Sequence, residues 1–140
     1  MSERNYLEHL AAIHLFSGCN KGDLQLIAKS VDEISVDAGR VLTTQGDFGR
    51  EAFVIVEGTA RVEIDGNEVA TLGPGQQFGE LALLDGGSRT ATVTAVTPME
   101  LIVISQRAFL SLLDEVPGLS RRILASMAAT IRELDTLHNV

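Results

Sequence analysis

The hydrophobic positions along this chain change period twice, and the changes divide it into three stretches. Over residues 6–16, Leu7, Leu10, Ala11 and His14 fall on one side of a helix, and Leu24, Ile27, Ala28 and Val31 repeat the spacing over 21–31. Asn20, with Asp23 three residues on, reads as the cap of the second helix. From about 33 to 104 the period falls to two. Ala60, Val62 and Ile64 alternate with Arg61, Glu63 and Asp65, as on a half-buried strand, whereas Phe53-Val54-Ile55-Val56 is apolar throughout, as on a strand covered on both faces. Turn signals recur at Ala38-Gly39, Gly46-Asp47, Glu57-Gly58, Asp65-Gly66 and Gly73-Pro74-Gly75, and Asp65-Gly66 is a strong hairpin signal. Helical spacing returns over 106–116 and is broken by Pro117-Gly118. It resumes to about 137, with Leu119, Ile123, Met127, Ile131 and Leu134 on one face.

Short strands at such intervals predict a mainly β fold with flanking helices, the strands closing into an antiparallel roll that limits exposed edges. With 140 residues the chain is expected to form one domain, 1–140, with a single core. No apolar run approaches the roughly 18 residues of a membrane span, and the first residues lack a basic-then-apolar leader. The expectation is a cytoplasmic protein with no membrane partner. The net charge is −8 and the basic residues are scattered, which argues against nucleic acid as a partner. A small anionic ligand would need a local positive spot against that background. One cysteine, Cys19, excludes a disulfide within the chain and reads as a small buried hydrophobe. The histidines are His9, His14 and His138, all in the terminal helices. The roll therefore lacks the ligands of a metal-dependent enzyme, and no Ser-His-Asp or Cys-His set stands out. We expect no enzyme activity, no metal and no cofactor.

One segment does not belong in a roll. Glu80-Leu-Ala-Leu-Leu84 is helix-prone, with Gly79 before it and Gly86-Gly87 after it, so a single helical turn should interrupt the strands. The start of such a turn offers unpaired N–H groups, which suits a phosphate. Arg89 follows Glu80 by nine positions and heads an alternation of Thr with Ala or Val. Taken singly, an arginine at a strand start is usually solvated, and a glutamate at a helix start complements the dipole. Together they close one small polar pocket. The guanidinium can meet a phosphate bidentately, and the carboxylate can accept from a sugar hydroxyl.

Phe78-Gly-Glu-Leu-Ala-Leu-Leu84 followed by Ser88-Arg-Thr-Ala-Thr-Val93 resembles the phosphate-binding cassette (78–91) of cyclic nucleotide-binding domains, the family of the bacterial catabolite activator, protein kinase A regulatory subunits and cyclic nucleotide-gated channels. Gln45-Gly-Asp47, Phe53 to Gly58 and Leu72 to Gly75 resemble its flanking elements, and the similarity runs over essentially the whole chain. The resemblance implies a jelly-roll-like, double-stranded β-helix over 33–104, after an N-terminal helical pair (6–31) and before C-terminal hinge and lid helices (106–137). It implies that Arg89 holds a cyclic phosphate and that Glu80 accepts from the ribose 2′-hydroxyl. Gly79, Leu81 and Ala91 would add backbone N–H groups, Phe78 would belong to the pocket, and Thr90 would stand near the phosphate or the purine. The ligand would be cAMP, with cGMP left open by Thr90. Thr130 and Ile131 would reach the base from the last helix, whose apolar face serves equally for core packing, a homodimer or an effector protein. Ser88 departs from the proline that kinase-type cassettes carry there, which bears on pocket rigidity. The alternatives are a regulatory fragment of a larger protein and an interaction module with a degenerate pocket.

Overall fold

The computed structural model of the chain describes residues 3–137, so His138 lies outside the described residues. The N-terminal pair is α1 (Glu3–Ala11) and α2 (Lys21–Ala28). The first helix is shorter than the periodicity suggests. The chain tightens after it, with the Ala12 and Ile13 N–H groups bonding the carbonyls of His9 and Leu10, and continues as a 3-10 turn over His14–Phe16. Ala11 and His14 are consequently exposed, whereas Leu10, Ile13, Leu15 and Phe16 are buried. At α2 the expected cap is present and reciprocal. The Asn20 side chain accepts from the Asp23 N–H, and the Asp23 carboxylate accepts from the Asn20 N–H.

Eight strands follow: β1 (Asp32–Val36), β2 (Val41–Thr43), β3 (Glu51–Glu57), β4 (Ala60–Ile64), β5 (Asn67–Leu72), β6 (Gln77–Phe78), β7 (Thr92–Ala95) and β8 (Met99–Ser105). Their antiparallel pairing is nested, β1 with β8, β2 with β7, β3 with β6 and β4 with β5. This is the pattern of one long hairpin wound into a roll. At the tip of that hairpin, Asp65 (φ 53°) and Gly66 (φ 81°) both adopt positive φ, the two-residue turn whose twist matches its strands. The winding yields two four-stranded sheets, in the orders β1-β8-β3-β6 and β2-β7-β4-β5.

The inner strands of the first sheet, β3 and β8, are covered on both faces, which accounts for their unbroken apolar runs. Phe53, Ile55, Leu101 and Val103 pack with Ala60, Val93 and Ala95 of the second sheet. The alternate residues Ala52, Val54, Ile102 and Ile104 pack with Leu10, Ile13, Phe16, Ile27, Leu83, Phe109, Leu119 and Ile123 from the helices. The second sheet has one open face, and β5 is exposed along nearly its whole length.

Ser105 caps α4 (Gln106–Glu115), Pro117-Gly118 ends it, and α5 (Leu119–Leu137) follows. The first turns of α5 are buried through Leu119 and Ile123, but its later apolar residues stand out: Ile131 is 55% and Leu134 51% exposed. Asp23, at the start of α2, binds the guanidinium of Arg122 through both carboxylate oxygens, and the Gly18 N–H donates to the Ser126 hydroxyl at 2.7 Å. The N-terminal helices and the root of α5 are thereby one polar-bonded unit. No helix among the described residues is long and apolar enough to cross a membrane.

Candidate ligand-binding pocket

The insert lies between β6 and β7. Gly79, at φ 78°, turns the chain out of β6, and α3 (Ala82–Asp85) ends at Gly86, which takes the left-handed conformation of a helix stop. Glu80 therefore precedes the helix instead of opening it, because the first turn bonds are Ala82 N–H to Gly79 and Leu83 N–H to Glu80. Ala82 and Leu83 anchor the turn in the core, and Leu81 is left 65% exposed beside the pocket.

Arg89 also departs from its expected setting. β7 starts at Thr92, and the residues before it follow the loop between β2 and β3 instead. The Arg89 N–H donates to the Asp47 carbonyl at 2.7 Å, the Gly46 N–H donates to the Arg89 carbonyl at 2.9 Å, and Ser88 bridges to Phe48. The Arg89 side chain then crosses Gly49 and Gly79. A β-carbon at Gly49 would stand 2.3 Å from its Nε, and one at Gly79 would stand 2.6 Å from its Nη1. Nη1 donates to the Glu51 carbonyl at 2.9 Å. The guanidinium carbon lies 5.9 Å from the ring centre of Phe53, which stacks on Phe78 at 4.8 Å. Burial pushes the Arg89 pKa below its ordinary value, opposed by the Glu51 carboxylate, and an arginine stays charged under any such shift of modest size. Among the described residues no carboxylate comes within ion-pair distance of it. A half-buried cation so placed gains from an incoming anion.

Glu80 faces the same cavity. One carboxylate oxygen accepts from the Leu15 N–H at 3.3 Å, and the other lies 4.0 Å from Nδ1 of His14. The cavity, of about 570 Å³, is lined by Phe78, Gly79, Glu80, Leu81, Arg89, Thr90 and Ala91, with Thr43, Val62, Leu72 and Val93 among its further walls. Thr43 donates its hydroxyl to the Ala91 carbonyl at 3.0 Å and ties the second sheet to the cassette. Thr130 and Ile131 are not brought there. The Thr130 hydroxyl bonds back to the Ser126 carbonyl, Ile131 is exposed, and among the described residues none of α4 or α5 lines the cavity. Gly49, the Glu51 carbonyl and Leu15 belong to the arrangement without having been singled out in the sequence, and Phe53, read there as part of a covered strand, joins it through its ring. Only Gly49 left a trace there, as the second glycine of Gly46-Asp-Phe-Gly49. Among the described residues, no three His, Cys, Asp or Glu side chains are grouped as metal ligands.

The sequence profile described as Cyclic nucleotide-binding domain matches residues 33–116. The chain is similar to the Cyclic AMP receptor protein of Thermus thermophilus, 31% identical over 126 residues that cover 86% of this chain and 58% of that protein. It thus spans little more than half the length of this relative. Among solved structures, the N-terminal domain of a transcriptional regulator from Streptomyces coelicolor A3(2) superposes with a TM-score of 0.82 at 28% identity, over 91% of this chain and 95% of that one. The regulatory domain of Toxoplasma gondii PKA, solved with cAMP, superposes with a TM-score of 0.71 at 31% identity, over 78% of this chain and 43% of that one.

Proposed function

The chain belongs to the cyclic nucleotide-binding domain family, and from that premise we propose that it binds a 3′,5′-cyclic nucleotide, cAMP in the first place, as a non-catalytic cytoplasmic sensor acting as one domain. The observation that carries this reading is the pairing of Arg89 and Glu80 on one cavity, a half-buried cation with no carboxylate within ion-pair distance among the described residues, near an acceptor-only carboxylate. A cyclic phosphodiester supplies the anion that the guanidinium lacks, and a ribose 2′-hydroxyl supplies a donor to the carboxylate. Gly79, Leu81 and Ala91 line the same cavity and would offer their backbone N–H groups to the sugar and phosphate, and Val62, Leu72 and Val93 would give the purine an apolar wall. Thr90 also lines the cavity, and a hydroxyl there keeps cGMP as a competing ligand. Thr130 and Ile131 reach a base only if α5 swings from its present seat. The outer face of α5, with Leu124, Ile131 and Leu134 exposed, is where a second copy or an effector would dock.

Calorimetric titration with cAMP, cGMP and cyclic dinucleotides in parallel tests the reading. Saturable one-to-one binding of a mononucleotide is expected, and no heat from either mononucleotide up to about 1 mM would reject it.

Gly49 offers a separate check. Its backbone does not need positive φ, so alanine is tolerated there, yet the added methyl meets the Arg89 guanidinium. A long side chain can move aside, so Gly49→Ala should fold nearly as well as the parent. The displaced guanidinium loses a charge-assisted bond to the phosphate, about 1.5–3 kcal/mol, so cAMP affinity is expected to fall roughly ten- to hundredfold. A melting curve alongside the titration separates the two effects.

A further inference from the structure

The carboxylate assigned above to the sugar is already in use. Leu15 is only 5% exposed, and its N–H, in the 3-10 turn, finds its acceptor in Glu80, 65 positions away. A buried amide away from water needs such a partner. The second Glu80 oxygen lies 4.0 Å from Nδ1 of His14 in the same turn. Resting on the pocket assignment made above, we propose that Glu80 is a shared acceptor. In the ligand-free domain it is held on the 3-10 turn by the Leu15 N–H and by His14 when that imidazole is protonated, and the ribose hydroxyl competes with the turn for it. His14 is then a positioning residue that makes nucleotide affinity depend on pH.

The sign follows from the charges. Histidine is the side chain that gains a proton as the pH falls through the neutral range. The imidazolium attracts Glu80, both carboxylate oxygens are then tied to the turn, and less acceptor capacity faces the sugar. Of the charged groups on the elements packed against the turn, α1 carries Glu3, Arg4, Glu8 and His9, the cassette carries Glu80, Asp85 and Arg89, and α5 carries Arg121, Arg122, Arg132, Glu133 and Asp135, with Arg122 bound to Asp23. Among the described residues, Glu80 is the one within ion-pair distance of His14. The phosphodiester and Arg89 do not titrate in this range, so they add no slope of their own.

The test is calorimetric titration of the full chain with cAMP at about pH 7.5 and about pH 5.5, using the parent, His14→Gln and His9→Gln. An exposed ion pair is weak, so the parent is expected to lose roughly two- to fivefold in affinity at the lower pH. His9→Gln should behave like the parent, and His14→Gln should stay flat. An equal pH response in the parent and His14→Gln overturns the role of His14. The Leu15 amide gives an independent readout by hydrogen exchange. It should exchange faster with saturating cAMP than without, although ligand slows its neighbours in the cassette. Exchange that is unchanged or slower overturns the sharing of Glu80. Absence of cAMP binding at both pH values instead overturns the pocket assignment, and this inference with it.

Discussion

Arg89→Ala is expected to lower the affinity for cAMP by roughly two to three orders of magnitude, because truncating one partner of a desolvated charge pair costs about 2–5 kcal/mol. The arginine is not a loose surface cation. It is aligned by the Glu51 carbonyl, rests on the Phe53 ring, and passes over two glycines that leave no room for a β-carbon beneath it. Its rotamer is thus fixed before the ligand arrives, and a phosphate meets a preset fork of donors. Arg89→Lys retains the charge without the fork, so it should recover only part of the loss. Titration of the three proteins under one salt condition checks the order. Near-normal affinity in the alanine variant would remove the phosphate site from the account.

The second large effect concerns stability. Asp23→Ala is expected to lower the melting temperature by about 10 °C, through loss of a buried ion pair together with the carboxylate half of the capping box, the bond from the Asn20 N–H. The carboxylate is only 3% exposed, and it serves the Asn20 N–H and two donors of Arg122. Arg122 also reaches the Pro117 carbonyl and covers Gly118, which sits at φ 80°. The pair therefore ties α2 to the break between α4 and α5. The bond from Arg122 holds the Asp23 carboxyl below the usual carboxylate range, with burial opposing it. A depressed folded-state pKa stabilises the fold above the unfolded value, and that contribution is lost as the pH falls below it. The gap between the parent and Arg122→Met should thus be widest near neutral pH and should narrow below about pH 4. Calorimetric melts across that range measure it, and a gap independent of pH would contradict the role of Asp23.

Much of this was readable from the sequence because each signal was local. The strand at Ala60–Ile64, the Asp65-Gly66 turn and the Asn20–Asp23 cap depend on neighbours a few residues away, and all are present, although burial along the strand fades from Ala60 to the exposed Ile64 instead of alternating. The apolar run at Phe53–Val56 indicated a doubly covered strand, although it did not tell which residues meet the helices and which meet the other sheet. Phe78, Glu80 and Arg89 stood out through a contiguous motif, and the chain folds them onto one cavity. Contacts between distant segments were hidden. Gly49 matters because a side chain 40 positions on crosses it, and Leu15 matters because Glu80 reaches back to it. The last turns of α5 were ambiguous for another reason. A stripe such as Met127, Ile131 and Leu134 announces that a face is apolar, not what covers it, and Ile131 and Leu134 lie open. The helix at His14 was misjudged because a tight 3-10 turn and an α-helix share nearly the same spacing over so few residues.

The central claim is that one guanidinium and one carboxylate, nine positions apart, take opposite ends of a cyclic ribose phosphate. A crystal structure of the chain with cAMP tests it most directly. The account predicts the Arg89 guanidinium within about 3 Å of the phosphate oxygens and a Glu80 oxygen at similar range from the 2′-hydroxyl. A nucleotide bound elsewhere, or bound in this cavity with Arg89 still turned only to the Glu51 carbonyl, would contradict it.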